Sequence, residues 1–148
     1  MNNKLKKDLK FGDNKENTLL KPLEEHYGVK LSKTRIFYEF DYINKESKIL
    51  IELKSRRIHK TQYFDTMIGH NKVLKGLAKI KQGYKIYFIF GFTDYVCAYE
   101  LKEDSVLSIR DGGRTDRGKD ETKKYAYIKT NELINLFENK IPLETKMP

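Results

Sequence analysis

The chain carries one cysteine, and that scarcity excludes two architectures at once. A lone Cys97 can form neither an internal disulfide nor a cysteine zinc cage. It sits in an apolar, strand-like run, where a thiol behaves as a small buried hydrophobe. A reducing intracellular compartment, cytoplasm or nucleus, is therefore expected. Long apolar runs are also missing: none approaches the roughly 20 residues that a membrane-spanning helix needs, so no membrane partner is expected. The start, Met1-Asn2-Asn3-Lys4-Leu5-Lys6-Lys7, has no apolar segment behind it and does not read as a secretory signal. Acidic residues are scarce in one particular place. Between Leu53 and Lys85 there are nine Lys or Arg and one acid, Asp65, so this block holds eight of the nine net positive charges. A positive field concentrated in this way points to a polyanionic partner, nucleic acid above all. A Lys-rich solvated surface is the plainer alternative.

What is present is enough for one domain over residues 1–148, with 39% apolar residues and 12% aromatics. Residues 1–8 form a basic arm. Leu9 to Tyr27 is helical in pattern, with Leu20, Leu23 and Tyr27 on one stripe, Leu19 widening it, and Gly28 as the stop. The aromatic and β-branched run Thr34–Ile43 predicts a strand. Asn44-Lys45-Glu46-Ser47 is turn chemistry, and Lys48–Ser55 returns as the second strand of a hairpin. A basic connection, Arg56–Asp65, leads into a helix over Thr66–Gln82, with Met67, Leu74 and Leu77 inward and Lys72, Lys75 and Lys79 on an outward face. Tyr84–Phe92 is apolar enough to be a central strand, and Tyr95–Leu101 follows it. Residues 102–124 have no apolar period and predict a mobile charged loop, whose part 110–124 could grip nucleic acid on folding or be merely flexible. Tyr125–Ile128 is a short strand. Thr130 caps a last helix over Asn131–Asn139, with Leu133, Ile134 and Phe137 inward, before a flexible tail at 140–148. The order predicts an α/β domain, a mixed sheet flanked by helices.

The chemistry lies in the hairpin. Side chains alternate along a strand, so Ile49, Ile51 and Leu53 share the core face while Glu52 and Lys54 share the other. With a turn centred on residues 45–46, Asp41 stands opposite Leu50, one diagonal step from Glu52. Two close carboxylates repel each other and hold hard divalent cations through oxygen. Such a cation activates water and stabilises charge developing on phosphorus, and a neighbouring lysine can orient that water. Asp, Glu and Lys are thus a sufficient kit for phosphodiester hydrolysis. Glu16 lies on the apolar stripe of the first helix, where a carboxylate needs a partner: a metal or Lys54. Arg56 and Arg57, directly after Lys54, are candidate phosphate contacts, as are Lys60, Lys72, Lys75 and Lys79. His59 and His70 could touch phosphate or merely cap the surface, and Tyr63 could stack on a base or pack.

In this order the residues resemble the PD-(D/E)XK nuclease superfamily, which includes restriction endonucleases, archaeal-type Holliday junction resolvases and phage-type junction endonucleases. The matching positions are Glu16, Asp41 and the Glu52-Leu53-Lys54 triplet, with Gly12 four residues before Glu16. Phe40 replaces the Pro of the motif, and helix 66–82 lacks a Gln-X-X-X-Tyr signature, against the exonuclease branch. The resemblance implies a restriction endonuclease-like fold with an αβββαβ-type core and a metal-dependent endonuclease acting on DNA, with a structure-selective preference for junctions or branches. It implies Mg²⁺, with Mn²⁺ as a substitute, held by Asp41, Glu52 and the Leu53 carbonyl. Lys54 would then position or activate water, Glu16 would support the metal, and the enzyme would act as a homodimer. The rival readings are a catalytically silent nucleic-acid-binding module on the same fold and an RNA-directed nuclease.

Overall fold

The computed structural model describes residues 18–35, 38–112 and 123–140. The basic arm, Gly12, Glu16, the middle of the expected mobile loop and nearly all of the tail lie outside these residues. The first helix, α1, covers described residues 18–27 and ends at Gly28, which takes the left-handed φ of +68° that favours glycine. The strands are β1 (Ser32–Lys33), β2 (Tyr42–Asn44), β3 (Ile49–Ser55), β4 (Asp65–Gly69), β5 (Lys85–Gly91), β6 (Tyr95–Leu101), β7 (Ser108–Gly112), β8 (Lys123–Lys129) and β9 (Ile134–Glu138). The second helix, α2, is His70–Lys81.

Among the described residues, one mixed sheet runs in the order β1-β2-β3-β5-β6-β9. β3 and β5 pair in parallel, and the other pairs are antiparallel. Parallel neighbours need a crossover connection, which β4 and α2 supply. The expected α/β architecture therefore stands, and β5 is the buried central strand that its apolar run predicts. Alternation gives the sheet two cores. Ile49, Ile51, Leu53 and Ile89 pack with Leu19 and Leu23 of α1. Leu50, Ile86, Phe88 and Phe90 pack with Val73 of α2 and with Ile68, Ala126 and Ile128. The face carrying Glu52 and Lys54 is thus a second core that opens at one end, rather than a solvent face.

Three expectations are corrected. The helix over Thr66–Gln82 begins only at His70, because Asp65–Gly69 is a strand paired with β8. Its buried residues are Val73 and Gly76, and Leu74 is exposed. The span 102–124 is not patternless: β7 lies within it and pairs antiparallel with β8, which begins at Lys123, and with β4 they make a second sheet, β4-β8-β7. Residues 113–122, where mobility is expected, lie outside the description. The helix over Asn131–Asn139 is a 3₁₀ turn, Thr130–Glu132, followed by β9 on the edge of β6. Thr130 makes no helix cap; its hydroxyl donates to the Tyr63 and Phe64 carbonyls. A five-residue apolar run fits either period, and the open edge of β6, with backbone groups to satisfy, decides for strand.

Candidate active site

The β2–β3 hairpin places the carboxylates, although in a different register from the expected one. Tyr42 pairs with Ile51 and Ile43 with Leu50, so Asp41 follows in line with Glu52 rather than with Leu50. The cause is local. Lys48 takes a left-handed φ of 54° and leaves the strand, which widens the turn. Asn44 Oδ1 accepts the Ser47 N–H at 2.7 Å and closes that turn. The expected strand over Thr34–Ile43 is also shorter. β1 pairs with β2, and the described residues between them, 34–35 and 38–41, belong to neither strand. Thr34 ties the neck of the loop, its N–H donating to the Asp41 carbonyl at 3.0 Å and its hydroxyl to the Phe40 and Asp41 carbonyls. Phe40, where the motif has proline, is buried as a core anchor.

Asp41 is locked onto β3 from both ends. Its N–H donates to the Ile51 carbonyl at 2.9 Å, and its Oδ2 accepts the Leu53 N–H at 2.7 Å. Its carboxylate therefore lies along the backbone of Glu52-Leu53. Glu52 is only 2% exposed. Lys54 Nζ stands 3.3 Å from its Oε2, and Lys72 Nζ 3.6 Å from its Oε1. The second distance is an ion-pair distance beyond hydrogen-bond reach, so Oε1 is a buried oxygen without a hydrogen-bond partner. Burial pushes the Glu52 carboxyl above its ordinary value, the nearby Asp41 charge adds to this, and Lys54 and Lys72 oppose it.

Two neighbouring carboxylates, one of them with an orphaned oxygen, could hold a hard divalent cation. Magnesium keeps several waters and needs few protein ligands. Among the described residues no group of three His, Cys, Asp or Glu converges; Asp41 and Glu52 are the two that could ligate such an ion. Glu16, the expected supporting carboxylate, lies outside the described residues.

The structure separates the other expected contacts. Lys54 lines a cleft of about 740 Å³ together with Arg56, His70 and Lys72. Lys72 turns inward instead of outward: besides Glu52 it donates to the Glu39 carbonyl and lies 5.8 Å from the Phe40 ring centre. Lys75 pairs with Glu39 at 3.5 Å, and Lys79 sits over the Tyr38 and Tyr84 rings. These lysines clamp α2 to the loop that carries Asp41. Arg56 braces β4, donating to the Met67 carbonyl at 2.8 Å, and burial lowers its pKa. Lys60 lies elsewhere, its Nζ on Asn135 Oδ1 at 2.7 Å and on the Leu133 carbonyl. Arg57 is exposed beside the cleft residue Arg56. His59 is a surface residue 3.1 Å from the Thr93 hydroxyl. Lys123, Lys124 and Tyr125 complete the cleft. The sequence places Lys123 and Lys124 in a charged loop that could grip nucleic acid, and does not place them at this cleft, because the strand that brings them there pairs with β4, which itself reads as helix. A hollow of about 840 Å³ between α1 and β9 contains neither Glu52 nor Lys54.

A family model described as "Phage putative PDDEXK endonuclease" matches residues 10–135. No curated protein and no solved structure matches the chain.

Proposed function

The chain belongs to this phage PDDEXK endonuclease family, and on that premise we infer a metal-dependent endonuclease that hydrolyses phosphodiester bonds in DNA. Its α/β sheet is the restriction endonuclease-like arrangement of that superfamily. One observation carries the finer reading. Glu52 is held almost out of water beside Asp41, with Oε1 lacking a hydrogen-bond partner. Lys54 and Lys72 offset only part of the cost of burying that carboxylate, and Oε1 is left without a hydrogen-bond partner for a cation to complete.

Asp41 and Glu52 would hold Mg²⁺, or Mn²⁺ in its place, with the Leu53 carbonyl as a third ligand. When bound, the ion activates water and stabilises negative charge on phosphorus. The remaining work falls to the chain. Leu53 N–H fixes the Asp41 carboxylate, so its geometry is set before substrate arrives. Lys54, 39% exposed at the cleft, is the group that can turn from Glu52 to orient water and favour its deprotonated form. Lys72 is a positioning residue: it ties α2 to Glu52 and to the Asp41 loop. Cations that line the cleft would hold phosphates, contacts that position a substrate without reading its sequence; this is in keeping with shape-selective cutting, with branched or junction DNA as the preferred class. Paired cuts in two strands would come from a homodimer.

The test is direct. Purified protein with Mg²⁺ or Mn²⁺ is offered branched, double-stranded and single-stranded DNA, and RNA. DNA should be cut, branched DNA fastest. Glu52→Ala and Lys54→Ala should lose at least about 100-fold in rate while still binding. Variants that cut like wild type would remove this site assignment. Binding by the wild type with no cutting of any substrate would favour the silent module, and preference for RNA would move the reading to an RNA-directed nuclease.

A further inference from the structure

The cleft has a wall that the Asp41–Glu52 hairpin does not build. β8 pairs with β4 in the register Ile68 to Ala126 and Gly69 to Tyr125. Ala126 and Ile128 are fully buried, in one core with Ile68 and with Val73 of α2. Side chains alternate along a strand, so Lys124 shares the face of Ala126 and Ile128. β4 ends at Gly69, one residue short of a position opposite Lys124. There the core stops and its inner face opens into the cleft, which joins Lys123 and Lys124 to Lys54, Arg56 and Lys72.

These cations are not equivalent. Lys54 and Lys72 are paired with Glu52, and Arg56 is spent on the Met67 carbonyl. Lys123 and Lys124 are exposed and enter no ion pair among the described residues. The acid opposite Lys124 in register, Asp111, is exposed and also outside those pairs. Among the described residues, no Asp or Glu lines the cleft. Lysines that gather at one cleft and outnumber the acids near them repel one another, and a polyanion between them relieves that repulsion.

We propose that Lys123 and Lys124 bind the nucleic-acid backbone beside the scissile phosphate, so that the three-stranded sheet is the second wall of the substrate channel. This rests on the reading of the Glu52 site as a phosphodiesterase, and it makes β8 a substrate-gripping element rather than a structural appendage. Phosphate contacts of this kind position the substrate without reading its sequence.

Binding of fluorescent branched and duplex DNA is measured by anisotropy in chelator-containing buffer, across a salt series, so that no cutting intervenes. The comparison is the double variant Lys123→Ala/Lys124→Ala against Lys45→Ala/Lys85→Ala. The latter pair stands by the opposite end of the sheet: Lys85 pairs with Ile49, about 17 Å along β3 from Lys54. The cleft variant should bind about tenfold more weakly at low salt, and its slope of log affinity against log salt should be shallower by about 1.8 on duplex DNA. Lys123→Arg/Lys124→Arg should restore both. The distal variant should stay within about twofold of wild type. Equal behaviour of the cleft and distal variants would overturn the proposal. So would a cleft variant whose affinity falls while its salt slope stays that of wild type, because lost folding rather than lost phosphate contacts would then explain it. The two readings fail separately. If the wild type cuts nothing, the nuclease reading falls and the slopes still decide the channel. If it cuts and the cleft variant keeps the wild-type KM and slope, the channel falls alone.

Discussion

Glu52 is a carboxylate whose surroundings favour its proton, through burial first and the Asp41 charge second, against Lys54 and Lys72. The consequence for stability has a definite sign. The folded carboxyl has the higher pKa, so above the ordinary glutamate range the folded state holds more protons than the unfolded chain. Stability contributed by protonated Glu52 is present at low pH and is lost as pH rises through the folded pKa. Glu52→Gln should therefore raise Tm of the metal-free protein at pH 7, by about 2–4 °C for each kcal/mol relieved, with the gain shrinking towards pH 4. Thermal melts with chelator at both pH values check this. An equal loss of stability at both would mean that the lysine pairs outweigh burial. Cys97 gives a second residue-scale test. Burial pushes its thiol up to about 11, and its Sγ donates to Asn135 Oδ1. Thiolate is the reactive form, so a disulfide reagent at pH 7 should leave the native protein unlabelled and label it once in denaturant. The gathering of Asp41, Glu52 and Lys54 on one hairpin was legible because it needs only strand alternation and one turn. Lys72 was not: its inward aim depends on where α2 begins, and four residues assigned to helix belong to β4.

At the scale of elements, α2 is the part that joins fold to site. It presses on the sheet through Gly76, where a Cβ would stand 2.8 Å from Leu101 Cδ2 and 3.3 Å from Ile86 Cγ2. Glycine in a helix interior costs about 1 kcal/mol against alanine. Gly76→Ala therefore gains propensity while nudging a flexible leucine tip, and the two should nearly cancel. Gly76→Leu has no such balance. Its bulk must lift α2 from β5 and β6 at about 1–3 kcal/mol, and Lys72, one turn earlier, should move away from Glu52. Urea unfolding should show the loss of stability, and cleavage by the folded variant should fall as well. A Gly76→Leu protein as stable and active as wild type would mean that the close approach does not fix α2. Elements were legible in proportion to their length. β3, β5 and β6 carry seven-residue apolar or alternating patterns. β4 and β9 have five residues each, too few to separate a strand from a helix turn without knowing which edge awaits them.

For the whole molecule, the net charge of +9 acquires meaning only after folding. Along the chain, the nine cations between Leu53 and Lys85 read as one patch. The fold scatters them: Lys60 goes to β9, Lys75 and Lys79 to the loop before Asp41, and Lys85 to the far end of the sheet. Arg56 is turned to Met67. The cleft instead takes Lys54 and Lys72 from that block and Lys123 and Lys124 from outside it. These two pictures predict different salt dependences. Each neutralised duplex phosphate contributes a slope of about 0.9 in log affinity against log salt. Four cleft contacts give about −3.6, or roughly a hundredfold loss between about 50 and 200 mM salt. Nine contacts give about −8, or nearly 10⁵-fold over the same range. A measured duplex slope near −4 is expected. A slope near −8 would mean that the linear block acts as one surface despite the fold, and a slope near zero would remove nucleic acid as the partner of this cleft.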